Sequence, residues 1–169
     1  MSKASGIVIV GGGLAATRTA EQLRKSGYSA PVTLVSDEAH LPYDRPPLSK
    51  EVLQDAGKGL VDVLLKPLEF YADNDIALKL GSSAQSLDPT ARTLALSDGT
   101  VLDYDELVIA TGLAPKRIGS FPDLAGIRVL RSYELRVMGR VQRGALDQVI
   151  RLEAHSEKLA VHLRVEMGV

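Results

Sequence analysis

Ile7-Val8-Ile9-Val10-Gly11-Gly12-Gly13-Leu14-Ala15-Ala16 is the stretch on which the fold turns. Its run of consecutive β-branched apolar residues predicts a strand buried on both faces, the condition of a parallel sheet. Glycines follow at once, and Leu14 to Lys25 is rich in good helix formers. Strand, tight turn and helix therefore succeed one another without a linker. Gly11, Gly13 and Ala16 occupy the small-residue positions of a G-x-G-x-x-G/A pattern.

Each small residue has its own task in that pattern. Gly11 permits the sharp turn, Gly13 permits close approach of backbone to a pyrophosphate, and Ala16 lets the helix lie close to the strand. The start of the helix directs unpaired N–H groups and a positive dipole end toward phosphates. A purely structural turn uses the same glycines, so the pattern alone leaves both readings open. Val32-Thr33-Leu34-Val35 narrows the choice, because it is a second short apolar strand that ends at Ser36-Asp37-Glu38. Asp37 stands about 20 residues beyond the turn, where an acid of this fold meets the adenosine ribose hydroxyls. Such an acid favours a free 2′-hydroxyl over a 2′-phosphate. The bland alternative is a solvated loop carboxylate.

Composition narrows the function classes. At 169 residues the chain holds one domain, or one and a fraction. Hydrophobic content of 45% and charged content of 24% suit a globular protein. A net charge of −1 supplies no basic field for nucleic acid, and 4% aromatic content without Trp supplies no stacking platform. There is no cysteine, which excludes disulfide scaffolds, thiolate metal sites and any dithiol relay, and suits a reducing cytoplasmic location. No apolar run approaches a membrane span, and Met1-Ser2-Lys3-Ala4-Ser5 leads into a strand, not a signal peptide. His40, His155 and His162 lack carboxylate or cysteine partners at ligand spacing, so no metal site is expected. The glycine turn is no P-loop, and no G-x-S-x-G elbow occurs.

Beyond Asp37 runs Leu41-Pro42-Tyr43-Asp44-Arg45-Pro46-Pro47-Leu48-Ser49-Lys50. Its prolines predict a stiff loop with no helix or central strand before Leu48, and Ser49 and Lys50 on a short helical piece after it. A rigid loop pre-orients Arg45 and Lys50 toward a phosphate; two solvated surface cations are the plain alternative. Val61 to Leu65 is expected to pack, and Pro67 to Tyr71 to form a helix begun by proline. Ile76 to Leu80 alternates and predicts a strand with which Ser83 to Leu87 can pair. Asp88-Pro89-Thr90-Ala91 reads as a turn, Thr93 to Ser97 as a strand, Asp98-Gly99 as a two-residue hairpin turn and Thr100 to Tyr104 as the return strand. An antiparallel meander inserted in a parallel fold is the expectation. Tyr104 to Gly112 predicts a further buried strand ending in a small turn-forming triplet, and Ala114-Pro115 ends it. Pro122 keeps the next stretch irregular, and Ile127 to Ser132 predicts one more strand.

From Ile7 to about Ser132 the chain resembles the FAD domain of the FAD-dependent pyridine-nucleotide reductases. Within them it is most similar to the ferredoxin reductases of bacterial oxygenase systems, the putidaredoxin and rhodocoxin reductase type. The residues that carry the resemblance are the Gly11-to-Ala16 turn, the loop Tyr43-Asp44-Arg45-Pro46-Pro47-Leu48-Ser49-Lys50, the strand from Asp105 to Gly112, and Leu130-Arg131-Ser132. The loop is the most specific of these. The resemblance implies an α/β fold: a Rossmann-like FAD-binding domain with a parallel sheet, helices and an antiparallel β-meander, present here in incomplete form over residues 1–132. It also implies cofactor contacts. Gly11, Gly12, Gly13, Leu14, Ala15 and Ala16 form the pyrophosphate turn, and Asp37 meets the ribose. Arg45 and Lys50 lie along the cofactor, with Lys50 near the flavin ring. The backbone of Ala84 meets adenine, Thr111 and Gly112 line the cleft, and Arg131 reaches the pyrophosphate region. No catalytic side chain is implied. The implied activity is electron transfer from NAD(P)H through FAD to a ferredoxin-type iron–sulfur protein, without nucleic acid or membrane. A chain without cysteine fits that type and not a disulfide reductase.

The match breaks after Arg131-Ser132. The family continues into a second dinucleotide domain with its own glycine turn, and no second G-x-G-x-x-G occurs here. Residues 136–169 predict a helix with Leu146, Val149, Ile150 and Glu153 on successive turns, then a strand with Leu159, Val161, Leu163 and Val165 alternating. Residues 133–169 thus resemble a later part of the NAD(P)H-binding domain, joined near Glu134, and the chain stops at Val169. The expectation is a shortened reductase with weakened cofactor retention and impaired hydride delivery. Two alternatives stay open: a non-catalytic adenine-dinucleotide-binding module, or a defunct fragment with exposed sheet edges and an uncovered apolar face.

Overall fold

The computed structural model describes residues 5–55, 57–115 and 130–134. Two compact units divide the chain at Ala114 and Pro115, and the elements below belong to the first. The expectations for Pro122, for Ile127 to Val129 and for residues 136–169 lie outside the described residues. Leu130, Arg131 and Ser132 form no strand.

The opening strand β1 (Ile7–Val10) is buried at every position, as an apolar run in the middle of a parallel sheet must be. Helix α1 (Leu14–Lys25) follows the glycines directly. Strand β2 (Val32–Val35) pairs parallel with β1, placing Val10 beside Val35. Two short helical turns lead on through α2 (Glu51–Gln54) to α3 (Leu68–Asp73), which follows Pro67. Strand β3 (Ile76–Lys79) pairs parallel with β2. Three strands then form an antiparallel sheet: β4 (Ala84–Asp88), β5 (Thr93–Leu96) and β6 (Val101–Asp103). Finally β7 (Glu106–Ile109) returns to the parallel sheet on the other side of β1, so the order is β3-β2-β1-β7.

Packing makes three layers. Ile7, Ile9, Val32, Leu34 and Ile76 face Ala16 and Ala20 of α1 and Tyr71 of α3. Ala16 and Ala20 are fully buried, and their small side chains let α1 sit close to the sheet. Val8, Val10 and Val35 on the other face meet Leu94, Leu96 and Tyr104 of the meander. Burial of each such side chain contributes about 1.5–3 kcal/mol. Arg24, near the end of α1, joins the loops that lead into β2 and β3. It donates to the carbonyls of Asn74 at 2.7 Å, Tyr28 at 2.6 Å, Ala30 at 2.8 Å and Asp75 at 2.8 Å.

Several expectations are corrected. The proline loop is not free of helix before Leu48: Pro46–Ser49 is a 3-10 turn, because proline's fixed φ and missing N–H suit the first turn of a helix. Ser83 to Leu87 does not pair with Ile76 to Leu80. The Ile76 strand is drawn into the parallel sheet by its buried Ile76, and the meander begins only at Ala84. The hairpin loop holds three residues, with Leu96 and Thr100 joined by a 2.8 Å hydrogen bond and Gly99 at φ +83°. Strand β7 is not buried: it is the sheet's outer strand among the described residues, and Ile109 is 69% exposed. Of Val61 to Leu65, Val63 is buried while Val61 points to solvent.

Candidate functional site

Parallel pairing brings the carboxyl ends of β1, β2 and β7 to one edge, with Val10 level with both Val35 and Ile109. Ligands of open parallel sheets bind in the crevice beyond those ends. A cavity of about 210 Å³ opens there. Val10 and Val35 contribute the strand ends, Gly11 and Gly12 the turn, and Thr111 the second residue beyond β7. Asp37 and Arg45 supply charge, while Ser82, Ser83 and Ala84 supply the approach to β4. The volume is below the roughly 300–1,000 Å³ of a complete small-molecule pocket.

The glycines divide their work in a way the spacing only partly anticipates. Gly11 has φ +139°, and a Cβ there would stand 2.2 Å from the Ala110 carbonyl oxygen, so backbone meets backbone at this turn. A Cβ on Gly12 would lie 2.3 Å from Ser36 Oγ. One on Gly13 would meet nothing within 4 Å, leaving open space above the backbone where α1 begins. Gly13 caps α1 without a side-chain hydrogen bond, and no acid stands in the first turn. The first N–H groups of this helix are thus uncapped by any side chain, an arrangement suited to an anion. A diphosphate fits that donor set and that open space.

Ser36 joins the parts of the site. Gly11 donates to the Val35 carbonyl at 2.7 Å, Ser36 donates to Lys79 at 2.8 Å, and Ser82 donates back to the Ser36 carbonyl at 2.9 Å. The Ser82 hydroxyl donates to Asp98 at 3.0 Å, and Ser83 N–H donates to Ser97 Oγ at 3.0 Å. The Thr100 backbone N–H, then the Thr100 and Ser82 side chains, hold the Asp98 carboxyl below the usual carboxylate range. Glu38 accepts from Arg45 Nη2 at 2.8 Å and from the Tyr43 hydroxyl.

Of the residues singled out from sequence, Gly11, Gly12, Asp37, Arg45, Ala84 and Thr111 line this one cavity. Gly13, Leu14 and Ala15 form the adjoining helix start, with Leu14 52% exposed. Ala16 is fully buried and serves by packing. Lys50 is exposed between the 3-10 turn and α2 and does not line the cavity. Gly112 follows Thr111 at φ +73°, and Arg131 belongs to the second unit. Ser36, Glu38, Ser82 and Ser83 were not singled out. Glu38 had one signal, its place beside Asp37 and seven positions before Arg45.

Comparison with known proteins places the chain in a family. Residues 5–161 match the pyridine nucleotide-disulphide oxidoreductase family. A ferredoxin–NAD(P)+ reductase from a Sphingomonas species is 39% identical over 127 residues, which is 75% of this chain and 30% of that protein. The ferredoxin–NAD+ reductase component of the p-cumate 2,3-dioxygenase system of Pseudomonas putida is 40% identical over 131 residues, 77% of this chain and 32% of that protein. Among solved structures, the covalent putidaredoxin reductase–putidaredoxin complex matches with TM-score 0.72 and 34% identity, covering 81% of this chain and 34% of that one. NADH:rubredoxin oxidoreductase from Clostridium acetobutylicum matches with TM-score 0.70 and 28% identity, covering 82% of this chain and 35% of that one. The chain therefore spans about a third of the length of these relatives. Its parallel sheet with helices and its antiparallel sheet are the Rossmann-like fold of these reductases, and the chain belongs to the pyridine nucleotide-disulphide oxidoreductase family.

Proposed function

We propose that this chain is the FAD-holding part of an NAD(P)H-dependent reductase that passes electrons to a ferredoxin-type iron–sulfur protein. The single observation that carries the reading is the meeting of the glycine turn, Asp37, Arg45 and Ala84 around one cavity at the carboxyl ends of the parallel strands. In this reading residues 1–132 bind FAD and residues 133–169 resemble part of the NAD(P)H-binding domain. FAD, when bound, supplies a ring that accepts a hydride and gives up electrons one at a time. The chain's own residues bind and orient it. N–H groups at the start of α1 hold the diphosphate, Asp37 accepts from the ribose hydroxyls, and the backbone at Ala84 borders the adenine. Lys50, which lies outside this cavity, is assigned toward the flavin ring on the resemblance alone. The electron donor and acceptor come from the kind of relative matched, and the absence of cysteine supports direct delivery to a one-electron partner over a dithiol relay.

No helix among the described residues is long and apolar enough to cross a membrane. The chain without cysteine suits a cytoplasmic setting. Charge-assisted hydrogen bonds contribute about 1.5–3 kcal/mol each, against an association cost of roughly 4–15 kcal/mol. The contacts in this cavity alone therefore support reversible binding of FAD, and NADH-driven turnover by these 169 residues on their own should be weak. Titration of the purified chain with FAD, followed by flavin fluorescence, should show saturable quenching. A signal unchanged at saturating flavin, with no flavin released on denaturation, counts against the proposal. The same cavity lining fits a second reading, an adenine-dinucleotide-binding module without redox chemistry; a bound nucleotide lacking the flavin ring would support it.

A further inference from the structure

Two signals that ordinarily exclude each other share this cavity. In dinucleotide sites an acid beyond the second strand binds a free ribose 2′-hydroxyl, whereas a nearby arginine accommodates a 2′-phosphate. Asp37 and Arg45 both line the cavity. Glu38 removes the conflict, because its Oε1 accepts from Arg45 Nη2 at 2.8 Å. The Arg45 side chain is 25% exposed and that of Glu38 15%, so the pair is partly shielded from solvent. The carboxylate is also held in place. Glu38 N–H donates to Ser36 Oγ at 3.2 Å, its carbonyl accepts from Gly81 at 3.0 Å, and the buried Tyr43 donates its hydroxyl to the carboxylate.

We propose that Glu38 is the specificity-determining residue of this cavity, a positioning residue that keeps Arg45 occupied. The cavity then admits adenine nucleotides with a free ribose 2′-hydroxyl and rejects their 2′-phosphorylated forms. This rests on the reading of the cavity as an adenine-nucleotide site. A 2′-phosphate placed here would face the carboxylates of Asp37 and Glu38 with a guanidinium already committed to one of them. Without the Glu38 charge, the same guanidinium becomes a phosphate ligand, since its planar fork suits phosphate as well as carboxylate.

The test uses the full chain and two probes that differ by one phosphate, ADP-ribose and 2′-phospho-ADP-ribose, titrated by calorimetry. The wild type should bind ADP-ribose at least about tenfold tighter. Glu38→Gln keeps the shape and an acceptor for Tyr43, and should narrow that ratio by about tenfold through tighter binding of the phosphorylated probe. The double variant E38Q/R45M should lose this gain. A merely structural Glu38 would weaken both probes together and leave the ratio unmoved, and that result overturns the proposal. If E38Q does not fold, Arg45→Met serves in its place: the preference should persist or sharpen, and its disappearance overturns the proposal. Failure of the wild type to bind ADP-ribose at all overturns the nucleotide reading itself, and this inference with it.

Discussion

Substituting alanine along the glycine turn separates folding from ligand approach, and Gly13→Ala is the decisive variant. Gly13 has φ −105°, which an L side chain adopts without strain, and an added Cβ meets nothing within 4 Å. The folded chain should tolerate the change and gain about 0.4–1 kcal/mol from the reduced freedom of the unfolded state. At roughly 2–4 °C per kcal/mol for a chain of this size, the melting temperature should hold or rise slightly. Nucleotide binding should fall, because the methyl occupies the space through which a diphosphate reaches the helix amides. Loss of one charge-assisted hydrogen bond, about 1.5–3 kcal/mol, weakens binding by roughly 10- to 150-fold. Gly11→Ala is the contrasting control. Its Cβ would stand 2.2 Å from the Ala110 oxygen at φ +139°, and the fold itself should lose about 2 kcal/mol or more. The assay is paired: thermal melting by circular dichroism, and FAD titration by fluorescence. A Gly13→Ala chain that melts like the wild type and binds FAD equally well would refute the reasoning, since no phosphate could then lie over that backbone.

Other perturbations probe the scaffold. Arg24→Met strips four carbonyls of a cationic donor and should cost about 2–4 kcal/mol in urea unfolding; a loss under about 0.5 kcal/mol would show that water replaces the guanidinium freely. Glu21 has its carboxyl lowered from the usual 4.5 to about 2, first by Lys66, then by Arg18 and Lys25. A depressed carboxylate stabilises the fold above the unfolded value and loses that contribution as pH falls from about 4.5 toward 2. Glu21→Gln should therefore be less stable than wild type at pH 7, with the difference shrinking across that window in acid-unfolding curves; a gap independent of pH contradicts the ion cluster. Gly12→Ala should displace Ser36 and loosen the Ser82 turn, read as a loss of both stability and nucleotide binding; wild-type values for both would show that Ser36 yields at no cost.

Local signals explain what could be read without coordinates. β1, α1 and β2 carry the bounds anticipated for them, because a β-branched run, glycines and a helix-forming stretch act over a few residues each. The partner of β3 was not legible: an alternating pattern reports half-burial and says nothing of which strand lies alongside, so the next segment, from Ser83, stood as its expected partner. β7 was expected to be buried on its composition, yet burial depends on neighbours on both sides, and Ile109 has β1 on one side. At the site, Asp37 and Arg45 were legible through spacing and loop stiffness. Ser36 and Glu38 were not, since their roles arise from contacts between the turn, β2 and the proline loop that only the fold assembles. Arg24 hides for the same reason: two of its acceptors, Asn74 and Asp75, lie about 50 positions away.

The most direct measurement of the central claim is an NMR titration of the 15N-labelled chain with ADP, read amide by amide. A diphosphate seated at the start of α1 predicts the largest shifts at Gly12, Gly13, Leu14 and Ala15, with a second set at Asp37 and Ala84. Shifts absent from the glycine turn, or confined to β5 and β6 of the meander, would contradict the account.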